Sequence, residues 1–146
     1  MNMLKNPSIA RDIIIDNYQN PANKRKVDDP CYVSKHMASD SCIDDITVYM
    51  KLNNDTVEDI AFDGVGCTIS TASTSIMTQL VKGQSVSDAL TICHNYMNML
   101  DEKEYDENLL QEAIVFADVS KSANRIKCAT IGWKGALGCL GEDIDE

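Results

Sequence analysis

At Gly64-Val65-Gly66 the hydrophobic period of this chain switches from two to about 3.6. Upstream, Cys42, Asp44, Ile46, Val48, Met50 and Leu52 fall on one face of an extended segment, and Ile43, Asp45, Thr47, Tyr49 and Lys51 on the other. Asn53-Asn54-Asp55 is a turn signal, and TVEDIAFDGV follows it as a further strand. Two such strands with a short polar connection predict an antiparallel hairpin. Downstream of the glycines, Ile69, Ala72, Ile76 and Leu80 recur at helical spacing, with Lys82-Gly83 as a stop. Ser85-x-x-Asp88 has the form of a capping box and opens another helix, with Ala89, Cys93, Tyr96, Met97 and Leu100 inward.

The flanks complete the pattern. Asn6-Pro7-Ser8 before Ile9, Ile13, Ile14 and Tyr18 reads as a capped amphipathic helix that stops near Asn20-Pro21. ANKRKVDD reads as a charged loop and CYVSKHMAS as a first strand. After the acidic connection DEKEYDEN, LLQEAIVFA reads as a short helix. SANRIKCATIGWKGALGCL reads as the closing helix, with Ala129, Trp133, Ala136, Leu137 and Leu140 inward. Strands first and helices after them predict an α+β fold: a small, about three-stranded antiparallel sheet with helices mainly on one face. The 146 residues are expected to form a single domain, 1–146, with a frayed acidic tail at 141–146.

A formal charge of −10 argues against nucleic acid and against anionic membrane as partners. No signal-peptide h-region and no apolar run of membrane-spanning length is found, so a cytoplasmic location is expected. In a reducing compartment the six cysteines read as core thiols, metal ligands or reactive groups rather than disulfides. No C-x-x-C occurs, which disfavours zinc ribbons and thioredoxin-like motifs.

Cys42 and Asp44 alternate onto one face at a strand start. A thiolate and a carboxylate form a workable zinc pair, and the same spacing also suits an ordinary thiol near a turn. Cys67 stands where a helix begins, a place that favours a thiolate or equally a buried cap cysteine. Six of the eight residues from Thr68 to Ser75 are Ser or Thr, able to donate to nearby thiolates or to face water and backbone. Cys128 lies beside Lys127 with Arg125 one turn upstream; two cations raise its thiolate fraction, or mark only a solvated basic patch. Cys93 falls on an apolar helix face and reads as core. Cys31 sits in a loop. Cys139 is eleven residues after Cys128, about 16 Å along a continuous helix. Two thiolates on one zinc must have sulfurs within about 4 Å, so Cys128 and Cys139 do not share an ion. His36 and His94 lack the spacing of a zinc pair, and the seven methionines read as packing.

Several stretches resemble the IscU/SufU family of iron–sulfur cluster assembly proteins, specifically its SufU branch. They are IIIDNYQNPANK, C-I-D at Cys42 to Asp44, VEDIAFDGVGCTISTASTSIMTQLVKG around Cys67, and RIKCATIGW around Cys128. The SufU branch is favoured by a long insert from about Ile92 to Asp118. Lys127 also stands where IscU has a histidine ligand, and the Leu-Pro-Pro-Val-Lys chaperone-docking motif is absent. The family usually has Cys-Gly-Asp, where this chain has Ile43. A glycine needed for positive φ would make Ile43 strained; an extended one would let it pack outward.

The resemblance implies Cys42, Asp44, Cys67 and Cys128 as metal ligands, holding Zn2+ or, alternatively, a 2Fe-2S or 4Fe-4S cluster on Cys42, Cys67 and Cys128. It implies Cys42 as acceptor of sulfane sulfur from a SufS-type cysteine desulfurase, whose histidine exchanges for one ligand. Downstream Suf assembly components or apo iron–sulfur proteins are the further partners expected. Arg125 and Lys127 are candidates for partner docking or for stabilising the anion. Two other readings of the same residues remain: a scaffold on which a cluster is built and passed on, and a structural zinc module without chemistry.

Overall fold

The computed structural model describes residues 2–38 and 43–142. A short 3-10 turn at Met3–Lys5 leads into helix α1, Pro7–Gln19. The Asn6 side chain accepts from the N–H groups of Ser8 and Ile9, and Pro7 fills the first helical position, where its missing N–H costs nothing.

Strands β1 (Tyr32–Ala38), β2 (Asp45–Asn53) and β3 (Thr56–Val65) form an antiparallel sheet in the order β1-β2-β3. Tyr32 faces Lys51 and Ala38 faces Asp45 across β1 and β2; Asp45 faces Val65 and Asn53 faces Thr56 across β2 and β3. Ile46, Val48 and Met50 point into the core, as their alternation predicts. Leu52 departs from that face. A register shift between Lys51 and Leu52 ends the alternation, and Leu52 is exposed. The outer edge of β3 is covered by the chain after α1: Phe62 N–H donates to the Asn23 carbonyl, and Arg25 N–H to the Phe62 carbonyl.

Helices α2 (Thr68–Val81) and α3 (Val86–Leu100) follow. Gly83 takes a φ of +85° at the predicted stop, and Ser85 Oγ accepts from the Asp88 N–H as the capping signal predicts. Met99 and Ile92 are buried on α3, while Met97 is only partly so. LLQEAIVFA is not one short α-helix. Helix α4 spans only Glu107–Leu110, and a 3-10 segment runs over Gln111–Lys121. Gln111 breaks the ladder between them with a φ of +44°, outside the helical region. Helix α5, Ala123–Cys139, closes the fold. Leu140, beyond its end, is partly buried rather than inward.

The α5 helix lies against β1 and β2, and α2 packs between α1 and α5. One hydrophobic core joins these elements, with Trp133, Tyr96, Phe62, Phe116, Ile60 and Met77 among its largest members. Tyr96 and Trp133 stack with ring centroids 3.9 Å apart. Trp133 Nε1 and the Tyr96 hydroxyl end in a polar knot with Ser73 Oγ and the Ala129 carbonyl, so neither is buried unsatisfied. No described helix is long and apolar enough to cross a membrane. Residues 143–146 of the acidic tail lie outside the described residues.

Candidate functional site

The antiparallel register brings the start of β2 beside the end of β3, because Asp45 faces Val65. Asp44, just before β2, and Cys67, just after β3, therefore meet at one end of the sheet. Gly64 makes this junction possible. Its φ is +128°, and a Cβ there would stand 2.0 Å from the Asp45 carbonyl oxygen. Cys67 is the N-cap of α2, its Sγ accepting from the Ser70 N–H at 3.4 Å. Cys128 comes from the second turn of α5, which packs against α2.

These three converge. One carboxylate oxygen of Asp44 and the sulfurs of Cys67 and Cys128 all lie within 4.8 Å of one another. Asp44 is 2% exposed. Its Oδ1 accepts from the Cys67 N–H at 3.0 Å and from the Ser70 hydroxyl at 2.8 Å. Burial pushes the Cys128 thiol well above the usual range, and the neighbouring Cys67 sulfur and Asp44 carboxylate push it further. Neighbours that oppose ionisation of Cys128 in this way are what a divalent cation relieves. The donor set fits a thiolate-loving ion such as zinc, and equally an iron–sulfur cluster.

Of the residues named from the sequence, Asp44, Cys67 and Cys128 are thus brought together. Cys42, two positions before Asp44, lies outside the described residues. Ile43 is 67% exposed, so its side chain stands out from the core. Arg125, one turn before Cys128, and Lys127, next to it in the chain, are both exposed near the start of α5. Cys93 and Cys139 are buried, and the Cys139 sulfur sits 3.5 Å from the Val48 carbonyl oxygen, facing the sheet. Cys31 is exposed ahead of β1. His36 pairs with Asp45 at 2.6 Å and His94 with Glu142 at 2.6 Å; neither belongs to the metal-competent group found among the described residues. Ser70 was not singled out by sequence. Its position three residues after a helix-capping cysteine is the signal that could have found it.

The fold and this cluster of one carboxylate and two cysteines define a class. Residues 9–129 match the family model of the NifU-like N-terminal domain, and the chain belongs to that family. It is 42% identical over 128 residues to the zinc-dependent sulfurtransferase SufU of Bacillus subtilis (strain 168), covering 87% of this chain and 86% of that one. It is 44% identical over 94 residues to the iron–sulfur cluster assembly scaffold protein IscU of Streptococcus pyogenes serotype M1, covering 64% of this chain and 59% of that one. A crystal structure from Fervidobacterium islandicum AW-1, of a protein assigned as an iron–sulfur cluster assembly scaffold for the SUF system, superposes with a TM-score of 0.77. It is 32% identical and covers 88% of this chain and 93% of its own.

Proposed function

We propose that the chain works in iron–sulfur cluster assembly as a zinc-bound sulfur acceptor that takes sulfane sulfur from a SufS-type cysteine desulfurase. The observation that carries this is the convergence of Asp44, Cys67 and Cys128 within 4.8 Å. Likeness to a zinc-dependent sulfurtransferase over nearly the whole chain supports it. Cys42 would complete the ligand set. Zinc held there supplies a charge that keeps thiols ionised near neutral pH.

The chemistry assigned to the chain's own residues is thiol exchange. The Cys42 thiolate attacks the outer sulfur of a persulfide on the desulfurase. A new S–S bond forms on Cys42, the donor's S–S bond breaks, and the donor cysteine leaves as a thiolate, so no external oxidant is needed. Arg125 and Lys127, exposed cations beside Cys128 on a chain of net charge −10, offer a local docking patch and stabilise the incoming anionic sulfur. Downstream Suf assembly components or apo iron–sulfur proteins would receive the sulfur.

The test is desulfurase turnover with and without the zinc-loaded protein. Wild type is expected to accelerate cysteine consumption, and Cys42→Ala to abolish that acceleration while keeping the fold. Acceleration by Cys42→Ala equal to wild type would sink the mechanism. The IscU relative favours a second reading, a scaffold carrying a cluster on Cys42, Cys67 and Cys128. It predicts visible absorption after anaerobic reconstitution and transfer of the cluster to an apo-protein.

A further inference from the structure

Ser70 touches two of the three clustered ligands. It lies in the first turn of α2 and is fully buried. Its hydroxyl oxygen stands 2.8 Å from Asp44 Oδ1, 3.2 Å from the Cys67 carbonyl oxygen and 3.4 Å from the Cys67 sulfur. A serine hydroxyl has one proton to give. Within a helix it ordinarily goes to the carbonyl three or four residues back. Here the carboxylate oxygen is the nearer acceptor, and as a metal ligand it would be ionised, which makes the bond to it the stronger, charge-assisted one. The Cys67 N–H supplies a second donor to the same oxygen. Two donors on Oδ1 use that oxygen's lone pairs and direct ligation to the other oxygen. Gly66 leaves the room, since a Cβ there would stand 2.6 Å from Ser70 Oγ.

We propose that Ser70 is a positioning residue of the metal centre, holding Asp44 as a one-oxygen ligand and thereby setting how fast the ion is released. The proposal rests on reading this site as a metal centre. Losing the hydroxyl leaves the buried carboxylate with one donor fewer to fix its orientation. Groups that orient a ligand in this way are typically worth about 10–100-fold in metal affinity or activity. A ligand set that must open for sulfur transfer is sensitive to that release rate.

The experiment loads the full chain with zinc and follows transfer of zinc to a chromophoric chelator. Ser70→Ala fits the same space and favours a helix. It is expected to lower the metal-free melting temperature by a few degrees, because a buried carboxylate loses a donor, to keep one bound zinc, and to release zinc about 10–100-fold faster. Ser70→Thr, which retains the hydroxyl, restores slow release. In an Asp44→Ala background, Ser70→Ala adds less than about twofold, because the residue acts through that carboxylate. Release within about twofold of wild type, or an equal acceleration in the Asp44→Ala background, overturns the proposal. So does a loss of metal-free stability that Ser70→Thr leaves unrescued. A wild-type chain that takes up no zinc overturns the metal reading and this one together; a zinc-loaded wild type with an unchanged Ser70→Ala overturns this one alone.

Discussion

The five described thiols, of identical chemistry, are distinguished by their surroundings. Cys93 sits on the buried side of α3, and burial pushes its thiol up to about 12, with the Glu142 carboxylate adding to the rise. Cys139 reaches about 12 by burial, partly offset by Lys35. Both keep their proton in the folded state, while an unfolded cysteine loses it near 9.0. Their contribution to stability is therefore intact below pH 9.0 and is lost as pH rises towards about 12. Chemical denaturation across that window is expected to show falling stability, and Cys93→Ala a shallower fall. Iodoacetamide labelling at pH 8, read by mass spectrometry, should modify exposed Cys31 in the native protein and reach Cys93 and Cys139 only after unfolding. Labelling of Cys93 in the native state would contradict the burial. Beside Cys67 and Asp44 the same burial that silences Cys93 acts on Cys128, but there both neighbours also oppose its ionisation, which makes a cation the natural counterpart.

Among the elements, α2 is the unusual one. From Ser70 to Thr78 it is buried throughout, although most of that stretch is Ser or Thr. Small hydroxyl residues let α1 and α5 approach closely, and their hydroxyls bond to backbone or to neighbours: Ser75 to Asn17, Thr74 to the Ser70 carbonyl, Ser73 to the Ala129 carbonyl. The partner surface on α5 is built to match. A Cβ on Gly132 would stand 2.1 Å from Thr74 Oγ1 and 2.7 Å from Thr74 Cγ2. Gly132→Ala is accordingly expected to cost about 1–3 kcal/mol as the two helices are forced apart. The melting temperature should fall by several degrees, and because this contact aligns Cys128 with Cys67, zinc release should quicken. An unchanged melting temperature would show that α5 can shift without cost. The alternation of β2 and the capping of α1 and α3 were legible in sequence because each is a local rule. The α4 and 3-10 arrangement was not, since an apolar run such as LLQEAIVFA fits either ladder and only the positive φ of Gln111 decides it.

Across the whole molecule the Asp44, Cys67 and Cys128 cluster joins three elements that the chain order keeps far apart. Asp44 precedes β2, Cys67 links β3 to α2, and Cys128 lies 61 positions after Cys67 on α5. An ion bound only by the folded chain stabilises it by mass action, about 4 kcal/mol when free ion is 1,000-fold above the dissociation constant. Stripping zinc with a strong chelator is expected to lower the melting temperature by several degrees and leave far-UV circular dichroism largely native, since the core of Trp133, Tyr96 and Phe62 does not involve the ion. A melting temperature indifferent to zinc and chelator would argue that no ion is held there. Collapse of the secondary structure on stripping would instead favour a structural zinc module.

By itself the sequence determined the local grammar of the fold: the strands by their alternation, the helix starts by Asn6 and Ser85, the stop by Gly83, and the inward positions Ile46, Val48 and Met50 of β2, though not Leu52. It also singled out the candidate ligand residues, but through a resemblance carried by long specific stretches rather than through spacing, since neither Cys42-Ile43-Asp44 nor an isolated Cys128 specifies a metal. Only the tertiary structure decided that Asp44, Cys67 and Cys128 converge, that a buried Ser70 holds the carboxylate, and that Cys139 faces the sheet instead. The physical reason is that strand pairing and helix packing act between residues distant in the chain. Their outcome is fixed by close contacts such as Gly64 on Asp45 and Gly132 on Thr74, which no local period records.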